Sequence, residues 1–390
     1  MLFTPVPCQA PARASGSVPE PHPAVKINWI VGVPRSGTTW LGKIFDSHPD
    51  VLYRNEPDEE IRSEMLPPVC PVEDLERYRD VAHAYLERLI DTRTLRSAGS
   101  LPVFRKNYQT RKAYWLRSGM VRGLHLSNFA TRGTWWQSNK AIPDFIDRAG
   151  WPQPTIVIKS VSAHGRVRLF LEALPGSRIV YIIRHPCAQV ASMLRGFALG
   201  KFGDQSLVQD LRRHLNVWRL ARRHRGVGPR HLLSELSELE HFTALPNVEK
   251  LAYWWAMINQ KTIEDLTGRC GVSIVRYEDL AADPVRVVRK LFAFTGLTWD
   301  PQSSAFMLKS TTSNGRDRYY GIKKNSSAMI VKWRKQLTPD DQCRILDIAH
   351  SVPVGRLFGK VDQNDAAILP GWAPEGALYT KPPAGGGCVP

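Results

Sequence analysis

The chain has 390 residues, of which 43% are apolar and 9% aromatic, as in a globular protein with ample length to bury a core. Its 53 Lys and Arg outnumber 36 Asp and Glu, which gives a formal net charge of +17. This composition excludes a disordered chain and favours an anionic partner: a nucleotide, an acidic glycan, a nucleic acid or an anionic membrane surface. A soluble protein that is merely basic is the plainer alternative.

Cysteine spacing and apolar content bound the class of protein further. The six cysteines show neither a CxxC pair nor a zinc-binding spacing, so buried free thiols are expected. No apolar run approaches the roughly 18 residues of a membrane span. Residues 1–25 and 366–390 are rich in Pro and small residues and are predicted to be flexible tails around a single domain at 26–365. Together these features predict a soluble, cytoplasmic protein.

A phosphate-binding loop is the first element after the N-terminal tail. Residues 27–31 are an apolar run that predicts a buried strand, and an amphipathic run after residue 40 predicts a helix. The sequence GVPRSGTT lies between them at residues 32–39. Strand, glycine-rich turn and helix N-terminus direct backbone N–H groups at an anion. A nucleotide triphosphatase has lysine where Thr38 stands, and the cation here is Arg35 instead, so we expect a phosphate site that is not a kinase site.

A substrate-side insertion is predicted at about residues 60–150. It contains a helical stretch at 72–95 and then an aromatic, basic segment with Trp115, Trp135 and Trp136. Insertions between sheet strands are where substrate-specific elements are commonly found.

The rest of the chain alternates strands with helices. Continuous β-branched runs followed by helices predict an α/β fold with a P-loop-type parallel sheet flanked by helices on both faces. Residues 205–266 are predicted to be largely helical. The predicted strands are 154–160, 177–186 and 271–280, and the helices that follow them are 164–173, 186–196 and 284–295.

A second anion site is predicted where the strand at 177–186 ends. Arg184 terminates that strand, and Ser192 lies on the helix that follows. Open α/β sheets bind ligands at the carboxyl ends of their strands. The alternative for a strand-end arginine is a structural ion pair.

Two segments resemble the cofactor signatures of sulfotransferases that use 3′-phosphoadenosine-5′-phosphosulfate: PRSGTTWLGKIFDSHPDV and RIVYIIRHPCAQVASMLRG. The resemblance covers residues 27–57 and 154–350. It implies that Arg184 and Ser192 bind the 3′-phosphate of this co-substrate. It also accounts for the missing lysine, because a sulfuryl donor needs no Mg²⁺ bridge and no metal site is expected. The residues implied for the 5′-phosphosulfate are Arg35, Ser36, Gly37, Thr38, Thr39 and Trp40.

Two later segments extend the resemblance. The sequence KKNSSAMIVKWRKQLTP at 323–339 resembles the family's C-terminal element, which implies that Lys323 or Lys324 contacts the 3′-phosphate and that Trp333 packs as structure. A solvated basic loop is the alternative. Tyr277 in RYEDL matches a family tyrosine near the adenine, although YEDL could serve as a helix cap.

The resemblance also implies which cations assist the transfer. Arg35 is a permanent cation that cannot act as an acid, so its implied role is to stabilise charge on the departing phosphate. Lys159, at the end of the second strand unit, matches a lysine that acts at the sulfuryl group. A plain surface cation is the alternative for Lys159.

The general base is implied by a different motif. Aryl and steroid sulfotransferases keep a histidine two residues after the strand-end lysine, but that position is Val161 here. His164 is nearby, and a capping or packing role is the more usual one for such a histidine. HPDVLYRNEPD at 48–58 resembles the carbohydrate-type pattern and places Glu56 as the base. The alternative is that Glu56 pairs with Arg35, which would lower its pKa, or caps a helix.

The implied acceptor is a carbohydrate hydroxyl, since residues 36–58 look most like those of carbohydrate 6-O-sulfotransferases. Trp135 and Trp136 suit sugar stacking, and Arg212, Arg219 and Arg223 could track a polyanion, although a buried pair and a solvated helix face are the alternatives. An aryl, lipid or protein-tyrosine acceptor stays open. A P-loop kinase and a non-catalytic polyanion binder are the rival classes. No nucleic-acid partner is expected, and the oligomeric state is not predicted.

Overall fold

The computed structural model describes residues 26–130, 141–147, 153–200, 245–312 and 326–359. Its centre is a five-stranded sheet in the order β2-β3-β1-β4-β5, and each neighbouring pair of strands is parallel. The predicted α/β class with a P-loop-type sheet is therefore confirmed. The strands are β1 (Ile27–Val31), β2 (Val51–Asn55), β3 (Thr155–Ser160), β4 (Arg178–Ile183) and β5 (Val272–Arg276).

Helices cover both faces of this sheet, as the apolar runs predicted. The helices among the described residues are α1 (Thr38–Ser47), α2 (Leu75–Ile90), α3 (Leu95–Ala98), α4 (Arg111–Ala130), α5 (Val167–Ala173), α6 (Pro186–Ala198), α7 (Asn247–Leu266), α8 (Tyr277–Ala282), α9 (Pro284–Thr295), α10 (Pro301–Thr312), α11 (Ser326–Val331) and α12 (Pro339–His350).

Alternate residues of β1 enter the two hydrophobic cores on either side of the sheet. Trp29 and Val31 pack with apolar residues of α2, α5, α6, α7 and α12. Ile30 packs on the other face with residues of α1, α8 and α9. All five residues of β1 are buried. This two-sided burial explains why the strand is a continuous apolar run rather than an alternating one.

The edge strand β2 was not predicted, because its sequence VLYRN ends in polar residues. Arg54 is nonetheless buried, with 1% of its surface exposed. Its Nη1 and Nη2 donate to the two carboxylate oxygens of Asp144 at 3.1 and 2.6 Å, and its Nε donates to the carbonyl of Ile90 at 2.7 Å. Residues of the insertion therefore cover the outer side of β2 and neutralise the charge of Arg54.

Two buried lysines dock the insertion on the C-terminus of α1. Lys43 Nζ donates to the carbonyls of Ser100 and Pro102 at 3.1 and 3.0 Å. Lys106 Nζ donates to the carbonyls of Asp46 and His48. Burial lowers the pKa of Lys106 to about 8, against the attraction of the Asp46 carboxylate. These contacts hold the start of the insertion in a defined position beside the sheet.

Two local predictions were wrong. The strand predicted at 271–280 ends at Arg276, and Tyr277 begins α8, because the Arg276 guanidinium binds the Asp279 carboxylate three residues ahead at 2.7 and 3.1 Å and favours a helical turn. Cys270 forms a disulfide bond where a free thiol was expected. Cys70 and Cys187 are buried free thiols, as predicted.

Several predictions concern residues outside the described ranges. These residues are the two tails, Lys323, Lys324, Trp135, Trp136, Arg212, Arg219 and Arg223. The domain bounds at 26 and 365 and the cytoplasmic location also stay predictions. Within the described ranges, no helix is both long enough and apolar enough to cross a membrane.

Candidate active site

The predicted functional residues meet at the carboxyl edge of the sheet. The phosphate-binding loop follows β1, Glu56 follows β2, and Lys159 is the second-to-last residue of β3. Arg184 follows β4, and Tyr277 follows β5. Because the strands are parallel, their carboxyl ends share one edge, which brings residues from distant parts of the chain together.

The loop between β1 and α1 has two residues in the left-handed backbone region. Arg35 has a φ of 71° and Gly37 a φ of 106°. Gly37 also sits against an aromatic ring, since a Cβ added there would lie 2.5 Å from Cδ2 of Tyr277. Gly37 is the N-cap of α1, and no described side chain caps that helix. The first amide groups of α1, including those of Thr38 and Thr39, therefore lack intrahelical partners and can bind an anion.

We expect Gly37→Ala to lower the free energy of unfolding by roughly 1–3 kcal/mol, because alanine is strained at positive φ. It should also weaken binding of 3′-phosphoadenosine-5′-phosphate, since the added methyl group would push Tyr277 or the loop aside. Denaturant unfolding and calorimetry measure the two effects. Gly268→Ala is the matched control, because Gly268 has a φ of 71° with no atom within 4 Å of the added Cβ. Equal loss of nucleotide binding in both variants would contradict the role given to the loop.

The second predicted anion site is connected directly to this loop. The Nη1 of Arg184 donates to the carbonyl of Arg35 at 3.1 Å, and the Nε of Arg35 donates to the hydroxyl of Ser192 at 2.9 Å. Gln189 Nε2 also donates to the carbonyl of Pro34 at 2.9 Å. The helix after β4 thus folds back on the loop through the turn at residue 186.

Aromatic residues hold the Arg184 guanidinium in place. Its Cζ lies 4.5 Å from the centre of the Tyr277 ring, and the indole N–H of Trp255 donates to the Arg184 carbonyl at 3.0 Å. Trp40 meets Tyr277 edge-on, with 6.1 Å between ring centroids. Arg184 is buried, with 8% of its surface exposed. Burial also raises the pKa of Tyr277, so its hydroxyl group stays protonated and the ring stays neutral. Trp255 was missed from the sequence because its apolar helix gave no sign of a contact with the site.

The C-terminal segment also reaches this site. Arg184 Nη2 donates to the carbonyl of Met329 in α11 at 3.4 Å. Trp333, predicted to pack as structure, is buried and stacks on His185 with 4.6 Å between ring centroids. The chain that follows Lys323 and Lys324 therefore contacts the same arginine as the loop.

A carboxylate with two cationic neighbours lies at the same edge of the sheet, after β2. Glu56 has a φ of 49°, and its N–H donates to the Lys159 carbonyl at 2.7 Å. Lys159 Nζ binds one carboxylate oxygen, and Arg96 Nη2 binds the other at 2.6 Å. Lys159 is 1% exposed, whereas the Arg96 side chain is 49% exposed.

Electrostatics keep this carboxylate ionised. Burial opposes the charge on Glu56, but Lys159 and Arg96 outweigh that effect and lower its pKa. Burial lowers the pKa of Lys159, against the attraction of the same carboxylate. The alternative paired Glu56 with Arg35, and in the described structure its carboxylate contacts Lys159 and Arg96. Arg96 was missed because it belongs to the insertion, which no motif connected to the site.

His164, the alternative base, is in a 3₁₀ turn (Ala163–Arg166) that follows β3. Its Nδ1 lies 3.0 Å from the Val161 carbonyl, and 6% of its surface is exposed. This contact with the backbone three residues earlier is of the local kind that a capping role predicts. Among the described residues, no group of three or more His, Cys, Asp or Glu is arranged to hold a metal ion.

A family model described as the sulfotransferase family matches residues 29–234, which is more than half of the chain. The chain belongs to the sulfotransferase family. The matched range of this sulfotransferase-family chain includes the loop, Glu56, Arg96, Lys159 and Arg184, and it ends before Tyr277.

Curated relatives are similar to parts of the chain. Human carbohydrate sulfotransferase 3 is 34% identical over 97 residues, which cover 25% of this chain and 20% of that protein. Mouse carbohydrate sulfotransferase 3 is 27% identical over 186 residues, which cover 42% of this chain and 38% of that protein. The family member described here therefore matches well under half the length of these two relatives.

Solved structures are similar over more of the chain at lower identity. The sulfotransferase domain from the Synechococcus PCC 7002 olefin synthase is 17% identical and covers 87% of this chain and 98% of that chain, with a TM-score of 0.37. Mouse sulfotransferase SULT7A1 complexed with PAP is 13% identical and covers 85% of this chain and 86% of that chain, with a TM-score of 0.37.

Proposed function

We propose that this family member transfers the sulfuryl group of 3′-phosphoadenosine-5′-phosphosulfate to a hydroxyl group of a carbohydrate acceptor. The observation that carries the proposal is the junction at Arg35, where the phosphate-binding loop, Arg184 and Ser192 join at the sheet edge that also carries the Glu56–Lys159 pair. Two anion sites connected in this way suit a donor that carries phosphate groups at its 5′ and 3′ ends.

The polar groups of the junction fit such a donor. Ser36 Oγ and Arg184 Nε are buried, and neither has a hydrogen-bond partner among the described residues. Buried donors in native proteins are normally satisfied, and charged or hydroxyl donors suit phosphate oxygens. In this proposal residues 35–40 hold the 5′-phosphosulfate, while Arg184, Ser192 and Lys323 or Lys324 hold the 3′-phosphate. The ring of Tyr277 lies beside the adenine.

The acceptor side is assigned to the carboxylate. The donor supplies an activated sulfuryl group, whose bond to the 5′-phosphate oxygen breaks as the acceptor oxygen bonds to sulfur. Glu56 takes the proton of the acceptor hydroxyl, and Lys159 and Arg35 stabilise negative charge on the transferred and departing groups. Arg96 is the exposed partner of Glu56, so an incoming acceptor can displace it. Losing that cation in a drier site would raise the pKa of Glu56 and make it a better base.

The pH dependence of the transfer distinguishes Glu56 from His164. Since its neighbours lower the pKa of Glu56 below 4.5, we expect kcat/KM to stay flat from neutral pH down to that value and to fall below it. The lowered pKa also stabilises the folded protein above pH 4.5, and that contribution disappears as the pH falls further. Thermal unfolding at each pH must therefore accompany the rates. A fall in kcat/KM centred near about 6.5, with the fold intact, would favour His164.

Nucleotide binding and a transfer screen test the proposal itself. Calorimetry should detect binding of 3′-phosphoadenosine-5′-phosphate without Mg²⁺. Labelled sulfate should pass from the donor to glycans in a panel that also includes phenols, lipids and tyrosine peptides. Absence of nucleotide binding would overturn the proposal, and Mg²⁺-dependent ATP turnover would support the kinase alternative. The carbohydrate preference rests on the resemblance of residues 36–58 and on the similarity to carbohydrate sulfotransferases, and transfer to another class would correct the acceptor alone.

A further inference from the structure

Helix α4 of the insertion exposes large apolar side chains along one side. The exposed fractions are 58% for Trp115, 56% for Leu116, 69% for Leu126 and 74% for Phe129. Trp115 and Leu126 are eleven residues apart and Leu126 and Phe129 three, so these three side chains share one helix surface, and Leu116 borders it. Gly119 and Gly123 lie between them, and a Cβ added at either would meet no atom within 4 Å. We call the surface formed by Lys112, Trp115, Leu116, Arg122, Leu126 and Phe129 the α4 face.

The opposite side of the helix is firmly attached to the protein. Val121 is fully buried against Ala98 and Ile142. The Arg117 guanidinium donates to the Ala98 carbonyl at 2.5 Å, and His125 Nε2 lies 2.9 Å from the Gly99 carbonyl. The position of the helix is therefore set by its inner side, and the α4 face is left as an ordered outward surface. Four large apolar side chains clustered on one exposed helix surface indicate an interaction site.

The charged residues of helix α4 all have one sign. Helix α4 has no Asp or Glu along its 20 residues, and the sequence has none between residues 92 and 143. Arg111, Lys112 and Arg122 are exposed, and none of them forms an ion pair with the described residues. An exposed surface with cations and no carboxylate is complementary to an anionic partner.

The apolar side chains decide what kind of anion fits. A glycan would use the ring faces of Trp115 and the cations, but it gains nothing from the aliphatic Leu116 and Leu126, which offer neither a ring nor a hydrogen bond. A helix that lies in a bilayer interface typically presents Leu, Phe and Trp bordered by Lys and Arg. Its apolar side chains enter the acyl boundary, and its cations contact anionic headgroups. We propose that the α4 face binds the surface of an anionic lipid bilayer.

The location of α4 connects this surface to the candidate active site. Helix α4 packs on α3, and α3 carries Arg96, whose guanidinium contacts Glu56. A bilayer on the α4 face would therefore lie on the insertion side of the carboxylate, where it could present a lipid-linked acceptor. This last step rests on the proposed function. Lipid binding itself does not, because it can be measured with neither donor nor acceptor present.

Vesicle co-sedimentation of the full chain tests the proposal. We expect binding to vesicles of phosphatidylcholine with phosphatidylglycerol in equal parts, weak binding to phosphatidylcholine alone, and a decrease with added salt. The double variant Leu126→Asp, Phe129→Asp should reduce the bound fraction roughly tenfold or more, since each change places a charge at the acyl boundary. Arg122→Glu should also reduce binding. Met65→Asp, at a residue 70% exposed elsewhere, and Lys290→Glu on α9 are the matched controls.

Thermal unfolding confirms that each variant is folded before its binding is interpreted. Failure of the wild-type chain to bind anionic vesicles would overturn the proposal, and so would equal losses in the α4 variants and the controls. Sedimentation velocity covers a third outcome. A wild-type dimer that dissociates when Leu126 and Phe129 are changed, with no vesicle binding, would overturn the proposal and make the α4 face an interface between two copies.

Discussion

Glu56→Gln is expected to reduce the rate of sulfuryl transfer by roughly 10²–10⁴-fold, the usual contribution of a positioned general base. Glutamine keeps the shape of the side chain but cannot accept the proton of the acceptor hydroxyl. Affinity for 3′-phosphoadenosine-5′-phosphate should change little, because Arg184 and the loop are untouched. A transfer assay and calorimetry measure the two quantities.

The ion pair with Lys159 requires a control for folding. Glu56→Gln leaves a buried lysine without its carboxylate, which destabilises a protein. Adding Lys159→Met removes that unpaired charge, so the double variant should recover thermal stability while transfer stays lost. Glu64→Gln, at an exposed carboxylate outside the site, should leave both properties unchanged. Substantial transfer by a folded Glu56→Gln variant would remove Glu56 as the base.

Arg184→Ala should weaken binding of 3′-phosphoadenosine-5′-phosphate by roughly 100-fold, as expected when charge-assisted hydrogen bonds worth about 1.5–3 kcal/mol each are lost. The Arg184 guanidinium is buried and stacked on Tyr277, so in the proposed site it is already oriented before the nucleotide binds. Little orientational freedom is then lost on binding. Calorimetry measures the change in affinity.

Arg289→Ala is the matched control for this second prediction. Arg289 also stacks on an aromatic ring, with its Cζ 4.4 Å from the centre of the Trp299 ring, but it lies on α9 outside the carboxyl edge. It should leave nucleotide affinity unchanged. If Arg184→Ala binds as tightly as wild type while remaining folded, Arg184 holds the loop through the Arg35 carbonyl and does not bind the 3′-phosphate.

The parts of the fold that were predictable are those whose signal is local. The apolar run at 27–31 has the same bounds as β1, and the helix predicted at 284–295 has the same bounds as α9. In both, apolar periodicity and end signals such as the Pro at the start of α9 lie within the element itself. The site motifs around Arg35 and Arg184 were also predictable, because each is a short strand–turn–helix unit with its functional residues at fixed spacing.

The parts that were missed depend on contacts between distant segments. Strand β2 was not predicted because it contains Arg54, whose charge is neutralised by Asp144 of the insertion. No sequence feature near residue 54 indicates this partner. The contact of Arg96 with Glu56 likewise exists only after the insertion docks on α1 through Lys43 and Lys106. Sequence patterns report which residues are apolar and how they are spaced, but they carry little information about which distant polar groups meet.

The pairing of the strands has a consequence for how the protein forms. Ile27 pairs with Ile156, Asn28 with Arg178, and Ile179 with Val272, so none of the five described strands pairs with a close neighbour in sequence. During synthesis at ~5–20 residues per second, β1 would wait on the order of ten seconds for its first partner. The apolar strand that leads into the phosphate-binding loop is therefore exposed early and paired late. Folding should be slow, and chaperones should raise the yield of native protein more than for a protein of the same size built from hairpins.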